Sequence, residues 1–248
     1  MYFDELTINY KYLVFVTRLL MINKKQKLLV IAPHADDEVL GCGGLISKIK
    51  QEGGQVYVLI FNVASIEKYN NKKFTQIRKK ETATAMKFLN VDGYDTIFDS
   101  PEDNRYLDTK PLHTLISKIE TDSKVSLSKL KPTIVAIPTI KSHHQDHVHV
   151  FKACMAALRP ISRPVSDIVL SYESPEHSRW SAVGVFEPNF YVDIEKYLLK
   201  KTEAFYKYKS QVRVGGRDKH TIKNHAEYRG KEVGRKLCEA FFVHRFIT

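Results

Sequence analysis

The chain has 248 residues, 43% of them hydrophobic and 27% charged, with a formal net charge of +11. That length suits a single large α/β domain, and that balance excludes a chain dominated by disorder. The positive charge favours acidic partners such as phosphorylated or nucleotide-linked sugars, an anionic lipid surface or nucleic acid. Its scatter in pairs such as Lys24-Lys25, Lys72-Lys73 and Lys79-Lys80 equally fits simple solubility.

In chain order, the first segment holds two apolar runs, Tyr12–Val16 and Leu19–Ile22, split by Thr17 and Arg18. Together they are too short to span a bilayer, and Asp4 and Glu5 precede them where a signal peptide would be basic. Residues 1–25 therefore read as an N-terminal extension, used for packing or homo-oligomer contact, with peripheral membrane contact as the alternative. Translation from Met21 is a further option. A single domain is expected over 26–248.

Leu28–Ala32 is the first continuous apolar run, the pattern of a strand buried on both faces. Further runs follow at Val56–Phe61, Thr133–Ile137 and Ile168–Tyr172, with a shorter one at Thr96–Phe98. Between them lie helical spacings: Leu40, Leu45, Ile46 and Ile49 after the first strand, and Ile77, Ala85, Phe88 and Leu89 after the second. Alternating strands and helices predict a Rossmann-like α/β fold, a mostly parallel sheet flanked by helices in one domain. In such sheets the ligand crevice lies beyond the carboxyl ends of the strands. Cys42, Cys154 and Cys238 are far apart and form no CxxC, which fits a reducing cytoplasm rather than a disulfide framework. No helix-turn-helix, finger or RNP pattern appears, so no specific nucleic-acid partner is expected.

The chemistry concentrates just after two strands. His34-Ala35-Asp36-Asp37-Glu38 follows the first, and Ser142-His143-His144-Gln145-Asp146-His147 follows the strand at Thr133–Ile137. Taken alone, the acids read as a helix N-cap with a negative first turn. Gly41-Cys42-Gly43-Gly44 does not make a dinucleotide loop, because its third glycine is misplaced and three carboxylates stand where a pyrophosphate would bind. Those glycines read as close packing of the helix on the sheet. Taken together, the two clusters meet the need of a zinc hydrolase for two imidazoles, one carboxylate and an open position for water. His34 and Asp37 can hold one side of the metal and His147 the other. Asp36 is then free to act as general base on the metal's water, and His144 to protonate the leaving amine or stabilise the oxyanion. Asp146 is suited to orienting one of the imidazoles. Iron(II) fits such a donor set as well as zinc.

On these motifs the sequence resembles the PIG-L (LmbE-like) zinc-dependent N-acetylglucosamine deacetylases, from about Lys27 to Leu158. The resemblance implies metal ligands at His34, Asp37 and His147, with Asp36 as base and His144 as acid. It also implies substrate contacts from Arg78, in an R-x-x-E spacing with Glu81, and from Asp103. Weaker similarity covers Phe186–Gln211 and Glu239-Ala240-Phe241. Two departures stand out: Ala35 replaces a usual proline, which should loosen the turn, and Ser142 replaces an acid or tyrosine. The resemblance implies removal of an acetyl group from a GlcNAc-type sugar or glycoconjugate. The alternative is a catalytically silent sugar- or nucleotide-binding α/β protein.

Overall fold

The computed structural model describes residues 26–63, 72–100, 106–161, 165–175, 184–213 and 216–247. The apolar runs of the N-terminal extension, and Asp103, lie outside the described residues.

Five of the strands are the five apolar runs: β1 Lys27–His34, β2 Gln55–Asn62, β3 Gly93–Phe98, β4 Ile134–Pro138 and β5 Ile168–Tyr172. They pair in parallel in the order β3-β2-β1-β4-β5. The sheet is extended by two strands outside those five runs, β6 Phe190–Asp193 and β7 Cys238–Phe246. β7 runs antiparallel to β5, and β6 closes the edge beside β7.

The parallel strands read as unbroken apolar runs because both faces are covered. Leu28, Val30 and Ala32 of β1 face one core with Val58, Ile60 and Ala136. Leu29 and Ile31 face the other with Leu59, Phe61, Val135 and Ile137. Helices α1 (Asp37–Gln51), α2 (Lys72–Leu89) and α6 (Leu198–Phe205) contribute to the first core. Helices α3 (Leu112–Ser117), α4 (Leu127–Leu130) and α5 (Gln145–Ala157) contribute to the second. A final helix, α7 (Lys219–Lys231), packs Ile222 and Ala226 into the first core.

One helical expectation changes in detail. Phe74, Ala85, Met86 and Leu89 of α2 face inward, but Ile77 is 40% exposed and the neighbouring Arg78 is buried. The buried side of α2 carries Arg78, Glu81 and Thr82, so apolar periodicity alone misplaces it.

The chain builds outward through β1, β2 and β3, then returns to place β4 on the other side of β1. The strand order therefore reverses between β1 and β4, where an open α/β sheet leaves its crevice. The two polar clusters follow the carboxyl ends of these two strands, and the topology brings them together.

Candidate metal centre

β1 ends at His34, and the chain turns through Ala35 and Asp36 into α1. The turn is strained: Asp36 has φ 112°, a region that residues with a side chain rarely occupy. Several hydrogen bonds hold it there. Oδ2 of Asp37 accepts from the His34 N–H at 3.0 Å, and Oε2 of Glu38 from the Asp36 N–H at 2.9 Å. The Ala35 N–H donates to the Asn62 carbonyl at 2.9 Å, a bond that proline could not make. Ala35 thus ties the turn to β2 instead of loosening it. Asp36 occupies the N-cap position, yet its side chain makes no cap bond. Its carboxylate turns away to Arg217 and Arg78.

Three donor atoms converge above this turn. Nδ1 of His34 is 3.4 Å from Oδ2 of Asp37, and Nε2 of His147 is 3.2 Å from that same oxygen. The ligand atoms of His34, Asp37 and His147 all lie within 4.8 Å of one another. On the far side of the His34 ring, Nε2 lies 2.8 Å from Oδ2 of Asp146. This is the usual second partner of a metal-binding imidazole, leaving Nδ1 for the ion. His34, His144 and Asp146 form an overlapping group of potential ligands. It would spend the nitrogen that Asp146 already engages, so the geometry favours the first set.

The charges fit a cation. Burial opposes ionisation of Asp37, but His147 and His34 outweigh it and hold this carboxyl well below the usual range. Burial likewise opposes protonation of His34, but Asp146 and Asp37 raise it to about 9. With a metal displacing the His34 proton, two imidazoles and an ionised, buried carboxylate would make a donor set suited to zinc.

Asp36 is buried beside this pocket, with Oδ2 3.1 Å from Nη1 of Arg217 and 3.6 Å from Nη2 of Arg78. Burial raises its pKa, although both arginines oppose the shift. Arg78 is 2% exposed and has its donors on protein atoms. It bonds the Ala35 carbonyl, the Val63 carbonyl at 2.9 Å and Oε2 of Glu81 at 3.4 Å, and its guanidinium lies over the Tyr208 ring. Arg78 is therefore placed behind the turn as a brace.

His144 begins α5, and its ring centroid is 4.8 Å from that of His34. Its Nδ1 accepts from the Asp146 N–H at 3.2 Å, which leaves the ring hydrogen on Nε2. Burial and the nearby His34 and His147 depress its pKa to about 4, so it is a neutral donor at pH 7. The buried Ser142 hydroxyl accepts from the His144 N–H at 3.1 Å and fixes the entry to the helix.

Residues that the sequence reading left without a role also belong here. Arg217 reaches Asp36 from a bridge in which Arg213 and Arg217 exchange backbone hydrogen bonds. Glu38, buried and raised to about 8 chiefly by burial, accepts from the Tyr208 hydroxyl at 2.6 Å. Glu38 had a signal in its adjacency to the ligand motif. Arg217 and Tyr208 had none, because their partners lie far away along the chain.

The family model described as GlcNAc-PI de-N-acetylase (PIG-L) matches residues 29–158. The uncharacterized deacetylase YaiS of Escherichia coli K12 is 30% identical over 196 residues, spanning 76% of this chain and 93% of that protein. Among solved structures, the N,N'-diacetylchitobiose deacetylase of Pyrococcus horikoshii superposes with a TM-score of 0.67 at 19% identity, covering 88% of this chain and 83% of that one. The 4-carboxy-2-hydroxymuconate hydratase GalB of Pseudomonas putida KT2440 gives 0.65 at 18%, covering 88% and 96%. These last two likenesses concern the fold alone. A deacetylase and a hydratase share it, so the chemistry must be argued from the side chains.

Proposed function

The chain belongs to the PIG-L family of de-N-acetylases, and from that premise we propose that it is a zinc-dependent hydrolase removing the acetyl group from an N-acetylated amino sugar or glycoconjugate. The observation that carries this reading is the pairing of two adjacent buried carboxylates with separate tasks. Asp37 faces the donor atoms of His34 and His147, while Asp36 faces Arg217 and Arg78 and is left for proton transfer.

A divalent metal held by His34, Asp37 and His147 would supply Lewis acidity, polarising the amide carbonyl and acidifying water. Asp36 accepts the proton of the attacking water, and its raised pKa suits a base that must also give that proton up. His144 offers Nε2–H to the carbonyl oxygen as negative charge develops. Of the two roles open to His144, we assign this one, because Nδ1 accepts from the Asp146 N–H and so carries no proton, leaving a neutral ring that donates through Nε2. The proton taken by Asp36 then passes to the departing nitrogen, so that acetate and a free amine result. Asp146 holds the His34 ring, and Arg78 and Glu38 hold the turn from which Asp36 acts.

The test is acetate release from a panel of N-acetylglucosaminides by the zinc-reconstituted protein, beside Asp36→Asn. Acetate from the parent and none above background from the variant supports the reading. Equal release from both contradicts it.

A further inference from the structure

Behind the metal pocket, a buried ion pair bonds to the middle of the helix that carries Asp37. Inside a regular helix each N–H is spent on the carbonyl one turn back, and only those of the first turn donate elsewhere. In the middle of α1, however, the N–H groups of Gly44 and Leu45 donate to Oε1 and Oε2 of Glu239, each at 2.7 Å. One turn earlier the Leu40 carbonyl accepts from Nζ of Lys201 at 2.7 Å. The same ammonium lies 2.7 Å from Oε1 of Glu239. The carboxylate therefore stands where a helix N-terminus would place it, and the ammonium where a C-terminus would.

The sequence makes room for the pair. A Cβ on Gly44 would lie 2.4 Å from Cγ2 of Ile194 and 3.0 Å from Cδ of Glu239. A Cβ on Gly43 would lie 2.8 Å from Cγ of Lys201. The glycine run thus admits Lys201 and Glu239 as well as packing against the sheet. α1 runs as one helix from Asp37 to Gln51, and its first turn bears Asp37 and Glu38.

We propose that Lys201 and Glu239 are positioning residues for the metal pocket, fixing α1 along its axis and so setting where Asp37 stands relative to His34 and His147. Apolar contacts alone would hold α1 against the core but define its axial position less sharply. Bonds to two N–H groups and one carbonyl fix its axial position. Stability alone is a weak reason for such a pair, because well-packed apolar side chains of similar volume serve as well or better. This inference rests on the metal-site reading.

Its test is a cobalt(II) titration followed by visible absorption, which reports both affinity and ligand geometry without any substrate. Glu239→Gln should weaken cobalt binding about 10-fold or more and alter the spectrum. Should that variant fail to fold, the neutral pair Lys201→Met/Glu239→Gln leaves no unpaired buried charge and should show the same loss. Glu173→Gln, which breaks another buried ion pair, controls for general destabilisation and should bind cobalt like the parent. Parental affinity and spectrum in the folded Glu239 variant or in the neutral pair would overturn the inference while sparing the metal site. Equal weakening in Glu173→Gln would also overturn it, reducing the pair to a structural role. A parent that takes up no cobalt overturns both readings.

Discussion

Oδ2 of Asp146 lies 2.8 Å from Nε2 of His34, so a carboxylate from the second motif holds the imidazole of the first from behind. Another oxygen of Asp146 accepts from the Asp108 N–H at 3.2 Å, which fixes the carboxylate in turn. Asp146→Ala should therefore weaken metal binding about 10- to 100-fold without removing a ligand. A competitive chelator titration measures this, and parental affinity in the variant would remove Asp146 from the site.

Asp36→Asn should retain the metal and lose turnover by roughly 10²-fold or more, as expected for loss of a general base. Asparagine is the informative replacement because Asp36 sits at φ 112°, where alanine would add backbone strain. Metal content and acetate release on the same preparation separate the two effects. Loss of metal along with turnover would make Asp36 part of the metal's support instead of the base.

Glu173 follows β5 and is paired with α7. Arg229 donates to its two oxygens at 2.5 and 2.8 Å, and Nε2 of His225 lies 3.2 Å away. Burial pushes the Glu173 carboxyl up, but His225 and Arg229 outweigh it and hold the group below its ordinary value of 4.5. A carboxyl lowered on folding stabilises the protein above its unfolded pKa and loses that contribution as pH falls through its folded value. Glu173→Gln should thus be destabilised at pH 7, by about 3 kcal/mol for a broken buried pair. The gap to the parent should narrow only below about pH 4.5. Urea melts at several pH values check this, and a gap that is constant down to low pH would contradict it.

Gly41 packs against the ring of Tyr172, where an added Cβ would lie 2.1 Å from Cδ2. Gly41→Ala should cost about 1–3 kcal/mol through overpacking. Gly216→Ala places its Cβ in open space and should change stability far less. Thermal melts of the two variants, side by side, test the contrast.

Much of this was legible in the sequence, for a physical reason. Strands buried on both faces are continuous apolar runs, so β1, β2, β4 and β5 stand out, while β3, partly exposed at the sheet edge, shows only Thr96–Phe98. The metal-site residues cluster in two short motifs, and the strand-end rule for parallel sheets brings those motifs to one edge. β6 and β7 were not singled out, since β6 is only four residues long and the apolar run Ala240–Val243 of β7 sits in a strand that is only half covered. Asp36 read as an N-cap, because sequence does not reveal that its carboxylate turns to Arg217. Lys201, Glu239 and Tyr208 fell in stretches of weaker similarity but carried no role, because their partners in α1 are more than a hundred residues away along the chain.

The most direct test of the central claim is the metal content of the purified protein after zinc reconstitution and dialysis, beside His147→Ala. About one zinc per parent chain, lost from the folded variant, is the expected result. A parent that retains no divalent metal, or a variant that retains as much as the parent, would contradict the assigned site.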